Sequence, residues 1–239
     1  MTTAVPPDPS QRKAARAVGL SYLLALVPGI FAEFYVLSRL VVSGNAAQTA
    51  LNIVAHQRLF RLGIASNLLV IAIDVVLITA LYVVLERVNR NLALLAAFFR
   101  LIETAILVVA VLNDFTVLRI LSGADYLRVF EPDRLQALAR LSIGAHGSVY
   151  NVALFLFGLG SSVFCYLWFR SGYIPRPLAG WGVFASLLVG VCTFAFIIFP
   201  ELSKTVSVAY FAGPIFLFEL AMGLWLPIKG LRPAVGTAR

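Results

Sequence analysis

The sequence predicts an all-α fold, a six-transmembrane-helix bundle with short amphipathic interfacial helices on its outer side. Three observations predict it. Hydrophobic residues make up 61% of the 239 residues and charged residues only 13%, with a mean hydropathy of +0.93. A soluble domain is about a quarter charged and less than half apolar. Apolar runs of roughly 18 residues or more recur along the chain, long enough to cross a hydrocarbon core. No window alternates polar and apolar residues as the strands of a membrane barrel do.

Taken in order, residues 1–16 are polar, proline-rich and basic, and read as a disordered cytoplasmic tail. The first apolar run outlasts a signal-peptide core, and no small-x-small cleavage site follows it, so it reads as an uncleaved anchor. Spans are expected at 17–42, 62–85, 92–121, 145–169, 178–199 and 208–229. They form one membrane domain over 17–230, and 231–239 is a second cytoplasmic tail. An even number of spans leaves both termini on one side. Lys and Arg are slightly more numerous there, and the short connections with Arg87, Arg90, Arg170 and Arg176 carry few acids. The positive-inside tendency then makes that side cytoplasmic.

The longer connections at 45–60 and 132–143 repeat apolar residues at helical spacing, as at Leu135, Leu138 and Leu141. Pro132 suits a first helical position. Both are expected to be amphipathic interfacial helices, serving as a lid over a site or as linkers that shield the bundle. Pro28-Gly29 and Gly213-Pro214 interrupt the first and sixth spans, and each proline precedes a glutamate (Glu33, Glu219) by five residues. A proline frees a backbone carbonyl one turn earlier and loosens the helix there. Between the fourth and fifth spans, Arg170-Ser171-Gly172-Tyr173-Ile174-Pro175-Arg176-Pro177 reads as a stiff turn. Its two arginines and its tyrosine are expected at headgroup level.

The third span carries Arg100, Glu103 and Asp114. At 100° per residue, Arg100 lies about 60° and Asp114 about 20° from Glu103, so the three share a face. An ionisable group at bilayer depth costs roughly 2.5–3.5 kcal/mol, so that face looks inward. Depth counting puts Glu103, Asp74 and Glu219 each about 17–18 Å from a membrane boundary, at one mid-membrane level, with Arg100 one turn away. Glu33, Asn67, Asp114, His146 and Asn151 form a second, outer polar layer. Three carboxylates against one guanidinium leave an excess of acid that only protons or a bound cation can balance. Two readings compete. In one, Arg100 ties three spans together through its forked donors. In the other, the acids form a proton-coupled or cation-binding pocket.

Several classes are excluded. The formal net charge of +8 would point to nucleic acid in a soluble protein, but here the basic residues flank spans and meet anionic headgroups, so no nucleic-acid partner is expected. Cys165 and Cys192 fall inside spans and read as packing residues. His56, His146, Glu33 and Asp114 would have to reach a metal from separate elements, without HxxxH, HExxH or CxxC spacing, so no metal is expected. There is no GxSxG, Walker motif or dinucleotide fingerprint, so no cofactor is expected. Gly158-Leu159-Gly160-Ser161-Ser162 reads as a helix-packing patch.

Several stretches together carry a family resemblance: Phe60-Arg61-Leu62-Gly63-Ile64 leading into the span with Asp74, then LYVVLERVNRNLALLAAFFRLIETAIL at 81–107, and HGSVYNVALFLFGLGSSVFCYLWFRSGYIPRPLAG at 146–180. They are similar to a bacterial integral membrane family known as domain of unknown function 4386, over roughly residues 14–230. The resemblance implies a six-helix bacterial inner-membrane protein with Arg61, Asp74, Arg100, Glu103 and His146 on family-typical positions. Where family members often carry an aspartate, this chain has Asn67. The family brings no reaction, substrate or cofactor.

The expected function is transporter-like or small-ligand-binding, with membrane lipids and a small solute or proton as partners. Asp74, Glu103 and Glu219 exchange the proton or cation, Arg100 tunes them, and Glu33, Asp114 and His146 form the outer entrance. The alternatives are an intramembrane enzyme acting on a lipid or isoprenoid, with His146 and Asp114 or Glu33 as acid and base, and a non-catalytic scaffold or regulator whose buried charges are structural.

Overall fold

The computed structural model describes residues 8–233. Among them the chain is all-α: α1 (Pro9–Ile30), a π-helical segment (Phe31–Val36), α2 (Leu37–Leu40), α3 (Ala46–Ala55), α4 (Gln57–Leu85), α5 (Arg90–Ile120), α6 (Pro132–Ser171), α7 (Arg176–Ile198), α8 (Leu202–Thr205) and α9 (Val208–Lys229). Six helices are long and apolar enough to cross a membrane, the first running Pro9–Leu40 through the π segment. The chain therefore reads as a multi-pass membrane protein.

Residues 9–16, expected in a disordered tail, are the first turns of α1. Asp8 caps them: its carboxylate accepts the Gln11 backbone N–H at 2.8 Å, and Pro9 fits a first helical position. The rest of the two expected tails, 1–7 and 234–239, lies outside the described residues. Of the two expected interfacial helices, the first stands as α3, capped by Asn45, which accepts from Gln48 N–H at 2.9 Å. The second runs without a break into the fourth long helix, making α6 a 40-residue element. Nothing between Ile143 and His146 breaks a helix, since Gly144 only weakens one.

The chain divides into two compact units, and α1, α4, α5 and α6 contribute to both. The first comprises the chain up to Leu24, Ile73–Thr104, and Asn151 onward. Its core joins Leu77, Leu81 and Leu85 of α4, Ala93 and Ala96 of α5, Phe164 and Trp168 of α6, and Met222 and Leu226 of α9. Small residues let backbones meet. A Cβ on Gly158 of α6 would lie 2.5 Å from the Gly190 Cα of α7, so the small patch read in the sequence is a helix contact of the membrane type. Tyr173, expected at headgroup level, is instead buried. Its hydroxyl accepts from Gln11 Nε2 at 3.3 Å, and its carbonyl accepts the Arg232 N–H at 2.8 Å. The loop's tyrosine thus works inward because α1 and the chain after α9 offer it partners.

The second unit comprises Ala25–Ala72 and Ala105–Tyr150. Val36, Leu40, Ile53, Phe60, Ile64, Val111, Val117, Leu118, Ala139 and Ile143 form its core. Pro28 lacks an N–H for the Leu24 carbonyl, and the helix then shifts register. The Leu37 N–H reaches the Ala32 carbonyl across five residues, the hydrogen bond of a π-helix, which recurs at functional sites.

Candidate functional site

In the first unit, the inward faces of α4 and α5 bring Asp74, Arg100 and Glu103 together. Arg100 and Glu103 are each 3% exposed. The Arg100 guanidinium forks: Nη2 lies 3.5 Å from Asp74 Oδ1 and Nη1 lies 3.1 Å from Glu103 Oε2. Its carbon sits 4.3 Å from the Phe157 ring centroid on α6, a cation–π contact of roughly 2 kcal/mol when desolvated. Gly160 makes the room, since a Cβ there would stand 2.8 Å from Arg100 Cγ and 3.0 Å from the Ala96 carbonyl. Glu219 of α9 and Tyr22 of α1 lie within electrostatic reach of Arg100. Three acids thus surround one cation. Arg100 Nη1 and Glu103 Oε2 are at ion-pair distance but are not aligned as a hydrogen bond, so the strongest charge contact here is geometrically unfinished.

In the second unit, four segments converge on His146 of α6, which is 4% exposed. Its Nδ1 lies 3.1 Å from Asp114 Oδ1 on α5, and its Nε2 lies 3.5 Å from Glu33 Oε2 on the π segment. Asn67 of α4 donates to Glu33 Oε1 at 2.9 Å. The Tyr150 ring stacks on His146 with centroids 5.9 Å apart. Both imidazole nitrogens face carboxylates, yet neither makes an aligned hydrogen bond. A cavity of about 10 Å³ is lined by Asn67, Asp114 and His146, and a second of about 30 Å³ by Gly29, Asn67 and Tyr150. Each has room for about one or two waters.

Of the residues singled out from the sequence, Asn151 belongs to the first unit rather than to the cluster around His146. His56 is an exposed C-cap of α3 whose Nδ1 lies 3.1 Å from the Asn52 carbonyl. Cys165 and Cys192 are free thiols. Three contributors were missed: Phe157, Gly160 and the π register around Glu33. The first two carry no sequence signal apart from the small-residue patch. The third was foreshadowed by Pro28, whose missing N–H loosens the turn that leads to Glu33.

The chain is similar to a protein of Archaeoglobus fulgidus described only as an uncharacterized protein, at 25% identity over 164 residues, or 68% of this chain and 80% of that one. No solved structure matches it. The family model described as "Domain of unknown function (DUF4386)" matches residues 17–230, nearly the whole membrane domain with both charge clusters, and the chain belongs to that family.

Proposed function

We propose that the protein is a transporter-like or ligand-binding protein of the bacterial inner membrane, with both termini cytoplasmic, that handles a small cationic or proton-exchanging solute. The observation that carries this reading recurs in both units. More than one carboxylate faces each central cation, and the hydrogen bonds of that cation are incomplete. A finished structural network satisfies every buried donor and acceptor, because an unmet one is costly at low dielectric. An unfinished, acid-rich cluster is suited to accepting a proton or a cation. Asp74, Glu103 and Glu219 supply the exchangeable negative charge and Arg100 holds it in place, while His146 shuttles between Asp114 and Glu33. The slight excess of Lys and Arg beside the termini supports the orientation.

The test starts with native mass spectrometry of the purified chain to identify a retained small molecule. Proton release on its rebinding is then followed in weakly buffered detergent solution. Glu103→Gln and Asp74→Asn are expected to weaken binding at least about tenfold, the scale of one lost charge-assisted hydrogen bond. Unchanged binding and unchanged proton release in both variants overturn the reading.

One observation favours the enzyme reading: His146 Nδ1 is within reach of Asp114 for acid–base work. The cavity beside it, about 10 Å³, takes a water and no isoprenoid. That reading therefore requires the second unit to open. Photo-crosslinking of a lipid analogue at the π segment would support it.

A further inference from the structure

The first unit carries a cavity unrelated to either charge cluster. It has a volume of about 330 Å³ and lies between the start of α1 and the end of α9, lined by Arg12, Arg16, Lys229, Pro227, Ile228 and Leu231, among others. Its walls are built rather than incidental. Behind it α1 and α9 are in close contact, since a Cβ on Gly19 would lie 2.4 Å from Pro227 Cδ. The chain after α9 turns at Gly230, whose N–H reaches the Leu226 carbonyl at 3.1 Å, and is pinned where Arg232 N–H meets the Tyr173 carbonyl at 2.8 Å. The Arg232 guanidinium lies over the Trp225 ring at 5.2 Å.

The charge in this cavity has one sign. Arg12, Arg16 and Lys229 line it, no carboxylate among the described residues does, and the nearby Asp8 is paired with Arg87. Along α1 the exposed positions Arg12, Arg16, Leu20 and Leu24 follow one another at four-residue steps on one face. On α9 the exposed Lys229 is flanked by exposed Ile228 and Leu224. Both helices thus place cations at their ends and bare apolar side chains toward their middles. A phosphate ester joined to hydrocarbon chains has the same order of polarity.

We propose that this cavity binds an anionic phospholipid, its phosphate held by Arg16 and Lys229 and its acyl chains lying along Leu20 and Leu24 of α1 and Leu224 and Ile228 of α9. The mixed lining separates this site from a plain basic rim. Guanidinium and ammonium groups take the phosphate oxygens, while Ile228, Leu231 and Pro227 offer nothing to a free anion.

The test uses the full chain, delipidated in detergent, and a fluorescent short-chain phosphatidylglycerol followed by anisotropy. Each basic residue near a lipid phosphate contributes enough for roughly a fivefold loss of affinity when removed, so Arg16→Gln/Lys229→Gln should bind about 30-fold more weakly. Arg16→Lys should bind nearly as wild type. Arg90→Gln, which removes an exposed charge outside the cavity, should change nothing. A phosphatidylcholine probe should bind more weakly and respond to none of these variants. Equal losses in Arg90→Gln and Arg16→Gln, or equal affinity for the two probes, overturn the proposal. Displacement of the lipid probe by millimolar inorganic phosphate overturns the lipid assignment in favour of a free-phosphate site.

Discussion

In the first unit the buried cation is an arginine and in the second it is a histidine, and the surroundings differ to match. Arg100 stays charged at any physiological pH. It is forked between Asp74 and Glu103, lies over Phe157 and has Gly160 pressed behind it. This is dense packing around a permanent charge. His146 carries a charge only when protonated. It faces a carboxylate from each ring nitrogen, one of them on a π-helical segment, and borders a water-sized cavity. The comparison teaches that one chain can bury acid in two ways: against a cation whose charge is permanent, or against one whose charge depends on a proton.

The largest expected effect comes from removing the permanent charge. Arg100→Met leaves two carboxylates buried without their cation and should cost about 3–5 kcal/mol, read as a fall in thermal melting of the detergent-solubilised chain. Replacing Arg100, Glu103 and Asp74 together by apolar or amide residues should recover most of that loss. A single variant as stable as wild type would show that Arg100 holds nothing together.

Next comes the packing that supports the first unit. Gly158→Ala drives a methyl group against backbone at Gly190, where no flexible side chain can yield. It should cost about 1–3 kcal/mol, whereas Gly144→Ala, with nothing within 4 Å of its Cβ, should stabilise the helix by about 0.5–1 kcal/mol. Equal melting temperatures would remove the argument for a close α6–α7 contact.

The contrast itself is sharpened by His146→Gln against Arg100→Lys. The first should cost about 1–3 kcal/mol through unmet buried acceptors and should remove one component from the proton-uptake profile of the purified chain, because an imidazole can gain and lose a proton and an amide cannot. Arg100→Lys should leave the His146 component of that profile in place. Identical profiles in the two variants would erase the distinction between a fixed and an exchangeable cation.

The smallest effect lies outside the spans. The Gln11 backbone N–H, helped by the Ser10 hydroxyl, holds the Asp8 carboxyl below its usual range. Its folded-state value is depressed, so its capping contribution is complete above the ordinary carboxylate range and is lost as pH falls through the depressed value. Protection from hydrogen exchange in the first turn of α1, relative to the intrinsic rate at each pH, should therefore fall at low pH in wild type and be low at every pH in Asp8→Ala. A pH-independent protection in wild type would remove the cap.

Much of this was legible because membrane helices obey strict rules. A helical period and a 1.5 Å rise are enough to place Glu103 at the level of Asp74 with Arg100 one turn away on the same face, and the structure puts Arg100 in contact with both acids. The same arithmetic set Asn67, Glu33, Asp114, His146 and Asn151 apart as a second group, of which Asn151 falls in the other unit. The π register was half visible, since Pro28 signals a weakened turn but does not say whether the helix kinks, ends or gains a residue. Phe157 was illegible: a phenylalanine in an apolar helix looks alike whether it faces lipid or a guanidinium. The burial of Tyr173 was illegible, because its partners, Gln11 and Arg232, lie far away in sequence.

The amino-acid sequence by itself determined the all-α class, the six long apolar helices and which polar residues must turn away from lipid. Each of these follows from local composition and period against the cost of exposing charge to hydrocarbon. Only the tertiary structure decided which acid meets which cation, that Glu33 reaches His146 from a π turn, and that basic ends of α1 and α9 enclose one cavity. Those facts depend on how segments distant in the chain pack at side-chain scale, where small residues such as Gly19, Gly158 and Gly160 set how close two helices come.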